Sequence, residues 1–296
     1  MRISVTGANG FLGTKIVNRL IKEGHYVIAW GRDPVPWGQY KDYRYLDLEK
    51  NHNIDFSDTD IIIHCAAYIP TNYGDFSEAE KCNKINGIGT LKLIRAAIAS
   101  NVKKFIHIST GQLYSWKDPT SEVREIEAMY PSERATSYLV SKFMGEVYVD
   151  SYKNDINAVI LRPSYIYGPG MKSGGLLHRL TNALKNNEYM DVNKIGRYYI
   201  DLVYVDDVVE MVYLSATNEN IIGTYNVGGG DAVNTYELIA ELSNVLNKPS
   251  PKIPPIKIPL DFDRCHPMLD ISKAISVGYK PTERMIGLTD YVRSLK

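Results

Sequence analysis

The chain has 296 residues, 44% of them hydrophobic and 23% charged, and Lys+Arg equals Asp+Glu. Length and composition fit an ordinary globular chain of one large or two smaller domains. Zero net charge leaves no electrostatic footprint for nucleic acid or an anionic membrane, and no apolar run reaches the ~18 residues of a membrane span.

The first strand starts almost at Met1, so no secretion leader is read ahead of it. Cys65, Cys82 and Cys265 have no paired spacing and read as reduced thiols of a cytoplasmic protein. His64-Cys65 is too short and too apolar in setting for a metal site.

The apolar run Ile3-Ser4-Val5 leads into Thr6-Gly7-Ala8-Asn9-Gly10-Phe11-Leu12-Gly13, and apolar residues at helical spacing follow. This is strand, tight turn, helix. Gly7 permits the turn, Gly10 lets backbone N–H groups approach a pyrophosphate, and Gly13 lets helix and strand pack closely. The helix N-terminus then favours phosphate. Tyr26 to Trp30 reads as the second strand and runs into Gly31-Arg32. A small residue followed by arginine suits a ribose 2′-phosphate and puts NADP slightly ahead of NAD. Asp33, twenty positions after Gly13, is the competing ribose ligand, and a surface role for Arg32 is the plain alternative.

Tyr43 to Leu46 is a third strand, with Asp47-Leu48 placed to cap an adenine. Asp60 to His64 is a fourth, apolar enough to be buried on both faces. The loop Ala66-Ala67-Tyr68-Ile69-Pro70 then lies at the carboxyl edge, where open α/β sheets bind ligands. One long helix is expected from Ser77 to Ser100, its Gly87 and Gly89 implying close packing. The fifth strand, Lys104 to Ser109, ends in Thr110-Gly111-Gln112-Leu113-Tyr114.

A polar loop, Trp116 to Arg134, leads to a helix carrying Tyr138 and Lys142, whose four-residue spacing puts them on one face. A sixth strand spans Ile156 to Leu161. The prolines and glycines of Arg162 to Gly170 read as a boundary. Beyond it, Gly174 to Asn187 is expected helical and Leu202 to Val205 a strand. Asp206 is expected to cap a helix ending near Thr217, and Thr224 to Val227 forms another strand. Four prolines make Pro251 to Pro259 an extended connector.

Taken in order, these motifs resemble the extended short-chain dehydrogenase/reductases, which include nucleotide-sugar epimerases, dehydratases and ketoreductases. Thr6-Gly7-x-x-Gly10-x-x-Gly13 is similar to the cofactor turn and His64-x-Ala66-Ala67 to the fourth strand and its loop. Asn86-x-x-Gly89-Thr90 resembles the buried asparagine helix, Ser109-Thr110 with Tyr114 the hydroxyl segment, and Tyr138-x-x-x-Lys142 the catalytic pair. Arg162-Pro163, Val205-x-Asp207 and Leu269-Asp270-x-Ser272-Lys273 resemble later signatures.

The resemblance implies a Rossmann-type doubly wound parallel sheet of about seven strands. It implies a dinucleotide domain at 1–167, with 199–220 returning to it, and a smaller α/β substrate lobe at 168–198 and 221–296. Thr110, Tyr138 and Lys142 become the implied catalytic residues. The implied cofactor residues are Gly7, Asn9, Gly10, Phe11, Leu12, Gly13, Arg32, Asp47, Leu48, Ala66, Ala67, Asn86, Lys142 and Pro163. Tyr68, Gln112 and Tyr165 would meet a nucleotide sugar. A homodimer is implied through the helices bearing Asn86 and Tyr138.

Departures narrow the chemistry. The Asp-Glu pair of family dehydratases is Gly111-Gln112 here, which removes the acid and base for eliminating water. Tyr165 stands where epimerases place an asparagine, and Ile200 where many place a phosphate-binding arginine, with Arg197 and Arg264 as replacements. These departures put a 4-keto-sugar reductase slightly ahead of a UDP-hexose or UDP-N-acetylhexosamine 4-epimerase. A non-enzymatic dinucleotide sensor comes last.

Overall fold

The computed structural model describes residues 1–34, 38, 40–50, 53–72, 74–114, 121–127, 129, 136–188, 190–191, 195–250 and 266–295. β1 (Arg2–Thr6) passes through the glycine turn into α1 (Phe11–Lys22), followed by β2 (Tyr26–Gly31), β3 (Asp42–Tyr45) and β4 (Ile61–His64). α2 (Phe76–Cys82), α3 (Gly89–Ala99), β5 (Lys104–Ile108), α4 (Thr136–Ser151) and β6 (Asn157–Pro163) come next. Then follow β7 (Tyr165–Tyr167), α5 (Leu176–Lys185), β8 (Tyr199–Tyr204), α6 (Val205–Thr217) and β9 (Gly223–Val227). The described chain ends with β10 (Ala232–Asn234), α7 (Thr235–Val245), α8 (Ser272–Ile275) and α9 (Arg284–Ser294).

Seven strands form one sheet in the order β3-β2-β1-β4-β5-β6-β9, parallel throughout. This is the doubly wound α/β sheet expected from the sequence. Alternate residues feed two cores. Ile61 and Ile63 of β4 join Val5 and the α1 residues Ile16 and Leu20 on one face. Ile62 joins Phe105, Leu93 and Val149 on the other. Strand order reverses between β1 and β4, so a crevice opens at their carboxyl ends.

The glycine turn behaves as its spacing requires. Gly7 has φ +71°, and a Cβ there would lie 2.7 Å from the Ala66 nitrogen. A Cβ on Gly13 would lie 2.1 Å from the Gly7 carbonyl oxygen, so α1 can sit this close to β1 only without one.

Several boundaries differ from the expectation. The long helix is broken by a π turn at Asn83–Ile88, which widens the backbone where Asn86 turns inward. Its glycines do pack closely: a Cβ on Gly87 would be 3.1 Å from Met144, and one on Gly89 3.1 Å from Leu48. Arg162 to Tyr167 is not a linker but the end of β6 followed by β7, which joins β8 and β10 in a three-stranded sheet. Residues 223–227, expected in the substrate lobe, are the edge strand of the large sheet. Tyr204, not Asp206, is the N-cap of α6, and it makes no side-chain cap bond. Asp206 instead faces Lys15 at 3.4 Å. The connector Pro251 to Pro259 lies outside the described residues, as does most of the Trp116 to Arg134 loop.

Asp201 ties the two sheets together. Fully buried in β8, it accepts the Gly229 N–H at 2.8 Å and the Leu269 N–H at 3.1 Å. Burial outweighs these bonds and pushes its carboxyl up to about 7. An acid whose folded pKa is raised binds its proton while the unfolded chain has lost it. Its contribution to stability is therefore largest near pH 4 and fades as pH rises to 7. Between pH 5 and pH 8, wild type should lose about 2.7 kcal/mol relative to Asp201→Asn, about two pKa units at ~1.4 kcal/mol each. Urea unfolding at the two pH values measures this, and equal changes in both proteins would refute it.

Candidate active site

The carboxyl ends of β1, β2 and β4 enclose a cavity of about 300 Å³. Gly7, Asn9 and Gly10 line it from the glycine turn, Arg32 from beyond β2, Asp47 and Leu48 from beyond β3, and Ala66, Ala67 and Tyr68 from beyond β4. The cavity thus brings together these residues, all of which the resemblance gave to the cofactor except Tyr68, which it gave to the substrate. It also holds residues the sequence reading did not assign: Trp30, Glu49, Cys65, Ile85 and Lys172. Nothing in the spacing pointed to Lys172, which reaches the cavity from the segment after β7.

Asp33 lies in the same cavity, held by the Asn9 amide, which donates to its carboxylate at 3.0 Å. The Tyr43 hydroxyl donates to the Asp33 carbonyl at 2.7 Å. That hydroxyl fills the space above Gly31, where a Cβ would stand 2.5 Å from it. The small residue at position 31 therefore makes room for Tyr43.

Other expected cofactor residues surround the cavity without lining it. Gly13 and Leu12 belong to the packing of α1, and the Phe11 ring faces Gly170. Asn86 grips the loop backbone, accepting the Tyr68 N–H at 2.7 Å and donating to the Tyr68 carbonyl at 2.9 Å. Pro163 ends β6 beside Gly111.

At the end of β5, Thr110 caps a short 3-10 turn (Gly111–Leu113) and accepts the Gln112 N–H at 3.3 Å. Tyr138 is half-buried on α4 and packs against Leu113 and Leu139, beside the Thr110 segment. One turn along, Lys142 is buried and donates to the Ile108 carbonyl at 2.6 Å. Burial pushes its amine down to about 8, against the opposing pull of the Glu146 carboxylate. Thr110 and the Lys142 amine thus lie at the carboxyl end of β5, with Tyr138 one helical turn before Lys142 and packed on Leu113.

On the substrate side the Gln112 amide lies 2.9 Å from His266 Nδ1, and the Tyr165 ring meets His266 edge-on at 5.2 Å. His266, 154 residues from Gln112, gave no signal in the sequence. Arg197 stands before β8, and its charge acts on Tyr236 of α7. Arg264 lies outside the described residues. A Cβ at Gly111 would come within 2.8 Å of the Leu269 methyl and 3.3 Å of the Pro163 carbonyl, so a side chain there would require Leu269 to shift.

Tyr114 is not at the site. Its hydroxyl donates to Asn226 at 2.7 Å and accepts from Arg162 at 2.6 Å, and burial pushes the phenol up to about 12. Arg162 also grips Glu146 in a buried pair at 2.7 Å. Burial opposes the guanidinium charge, but Glu146 outweighs it and its pKa is raised. This pair anchors α4 one turn beyond Lys142.

A crevice built on a glycine turn, with a tyrosine–lysine helix at the next strand end, defines an enzyme of the extended short-chain dehydrogenase/reductase type. The sequence model of the NAD dependent epimerase/dehydratase family matches residues 3–228, and the chain belongs to that family. It is 27% identical to a UDP-glucose 4-epimerase of Mycolicibacterium smegmatis, over 95% of this chain and 94% of that one. Among solved structures it is similar to the UDP-glucose 4-epimerase of Thermotoga maritima with UDP-glucose, at 26% identity and TM-score 0.82, covering 99% and 98% of the two chains. It is also similar to the UDP-glucuronic acid 4-epimerase of Bacillus cereus in complex with UDP-glucuronic acid and NAD, at 26% identity, TM-score 0.80 and the same coverage. No helix among the described residues is long and apolar enough to cross a membrane.

Arg162→Met strands the buried Glu146 carboxylate and should cost about 3–5 kcal/mol of stability, while Arg162→Met with Glu146→Met should recover most of it. Urea denaturation of the three proteins measures this, and a single variant as stable as wild type would refute it.

Proposed function

We propose that the protein is an NAD-dependent nucleotide-sugar 4-epimerase. The carrying observation is the Asp33 carboxylate, held in the cavity by Asn9. Beyond the second strand, a carboxylate suits the free ribose hydroxyls of NAD and repels a 2′-phosphate. The argument for NADP rested on open space at Gly31 together with the Arg32 charge, and the Tyr43 hydroxyl takes that space. This removes one of the grounds for ranking an NADPH-using reductase first; the departures at Gly111-Gln112, Tyr165 and Ile200 were the others. The epimerases among the relatives support the same reading.

In this reading Gly7, Asn9 and Gly10 hold the diphosphate, and Asp47 and Leu48 flank the adenine. The bound dinucleotide supplies a hydride acceptor and donor. Tyr138 takes the proton of the sugar C4 hydroxyl, and Thr110 hydrogen-bonds the same oxygen. A phenol needs help to ionise at neutral pH. The Lys142 ammonium, one turn away, favours the phenolate. After the 4-keto sugar turns over, Tyr138 returns the proton to the C4 oxygen and the hydride would go back to the opposite face of C4, so the site needs no dehydratase acid pair. The three-stranded sheet with α5 and α7 forms the substrate lobe. A homodimer through the exposed Ile88, Val140 and Val147 belongs to the same reading.

Tyr138→Phe should lower turnover about a thousandfold or more, in line with loss of a general base and its partners, and should leave NAD binding within about twofold. Undiminished turnover removes the mechanism. Asp33→Ala should bring the NAD and NADP dissociation constants closer by about tenfold, and an unchanged ratio counts against the ribose role. The activity itself is tested by incubating the protein with UDP-glucose, UDP-N-acetylglucosamine or UDP-glucuronic acid without added reductant. C4-inverted product is expected. Turnover of a 4-keto sugar with NADPH, and none of these, would establish the reductase instead.

A further inference from the structure

The loop Cys65–Tyr68 lines the cavity, and one chain of buried hydrogen bonds holds it at both ends. At its start the Ala66 N–H donates to Thr6 Oγ1 at 3.4 Å. At its finish Asn86 clamps the Tyr68 backbone. Between these points Thr6 Oγ1 lies 2.8 Å from His64 Nδ1, His64 Nε2 lies 2.9 Å from Thr90 Oγ1, and Thr90 donates to the Asn86 carbonyl at 2.6 Å. Thr6, His64, Asn86 and Thr90 are all buried.

Proton counting gives the chain a direction. A threonine hydroxyl has one proton to donate. Thr90 spends its proton on Asn86, so His64 Nε2 must carry a proton and donate to Thr90. A neutral ring then has a bare Nδ1, which accepts from Thr6. The Thr6 oxygen keeps its lone pairs for the Ala66 N–H. Every member donates and accepts once. An imidazolium would turn an Nδ1–H against the Thr6 hydroxyl and cost Thr6 its acceptor. Burial, with the Lys142 charge second, holds the ring neutral and its pKa down to about 3.

The chain continues to the other half of the site. Asn86 Nδ2 donates to Ser141 Oγ at 2.9 Å, and Ser141 donates to the Tyr138 carbonyl at 2.7 Å. We infer that His64 is a positioning residue, fixed as the Nε2–H tautomer, that registers the cavity loop against the helix bearing Tyr138 and Lys142. This rests on reading the cavity as the dinucleotide site. The neighbouring His107 ring, 5.2 Å away, takes no part, since neither of its nitrogens has a hydrogen-bond partner among the described residues.

The test uses the full chain labelled with nitrogen-15 histidine, together with Thr90→Val, which removes the hydroxyl at constant shape, and Thr90→Ser, which keeps it. His64, identified by the signals lost in His64→Gln, should show a bare Nδ1 and a protonated Nε2, unmoved from pH 5 to pH 8. Thr90→Val should shift both resonances, and Thr90→Ser should leave them in place. NAD affinity, read through the fluorescence of Trp30 in the cavity wall, should fall at least tenfold in Thr90→Val and stay within twofold in Thr90→Ser. The opposite tautomer, a titration between pH 5 and pH 8, or full NAD affinity in Thr90→Val overturns the inference. If wild type binds no NAD, the dinucleotide reading falls, and the nitrogen shifts alone decide the tautomer. If Thr90→Val does not fold, the wild-type shifts and Thr90→Ser carry the test.

Discussion

Among the described residues, the glycine approach that a side chain would obstruct most is that of Gly13 to the Gly7 carbonyl, where a Cβ would stand at 2.1 Å. It sets how near α1 lies to β1 and so where the helix N-terminus points. The Gly7 turn in its own right meets the Ala66 backbone, where a Cβ would be 2.7 Å from the nitrogen. Two strand ends are thereby pressed together over the crevice. The cavity wall follows from that contact: backbone N–H groups from one side, the Cys65–Tyr68 loop from the other, and a helix dipole behind them.

Charge burial is confined to places where geometry compensates for it. Arg162 and Glu146 are removed from water as a bidentate pair, with the Tyr114 hydroxyl and the Glu125 carbonyl accepting the guanidinium's other bonds. Lys104 donates to the carbonyls of Ser215, Asn218 and Ile221 beyond α6, satisfying acceptors that a helix end leaves over. Lys142 is different. Among the described groups its ammonium has a carbonyl partner and no ion pair, and burial lowers its pKa. A buried cation with incomplete compensation is a poor stabiliser and a good source of field, which is what an adjoining phenol needs.

Much of this was legible in the residues because it is local. The glycine spacing, the alternating apolar runs of β1, β4 and β5, and the Tyr138–Lys142 turn are short-range patterns, and each element lies within a few residues of its expected place. What was not legible came from tertiary contact. The π turn at Asn83–Ile88 has no spacing signature, because the extra residue per turn is imposed by Asn86 reaching Tyr68. Arg162 to Tyr167 carried turn-like residues yet extends as strand, since β6 and β7 pair with different sheets on either side of Ser164. Gly31 looked like space for a phosphate because Tyr43 comes from another strand. His266 meets Gln112 across 154 residues, beyond the reach of any pattern.

The same contacts explain why one catalytic helix serves different reactions within a family. In the proposed mechanism Thr110, Tyr138 and Lys142 only move a proton at a carbinol oxygen and help place it. What happens next depends on the residues following Thr110. An aspartate at 111 cannot be built here without displacing Leu269 or the Pro163 carbonyl. The neighbouring Gln112 is neutral and engaged with His266, so no carboxyl stands ready to protonate a leaving hydroxyl. An oxidised sugar in such a site has one productive course, return of the hydride. In the proposed reading, the face to which it returns is set by how freely the ring turns against Tyr165 and His266. Those two rings meet edge-on at 5.2 Å and belong to segments of the small sheet and the chain following α7, not to the helix that carries the base. Stereochemical outcome and proton transfer are therefore separable in this fold: the first can change by substitution in one lobe while the second stays fixed in the other.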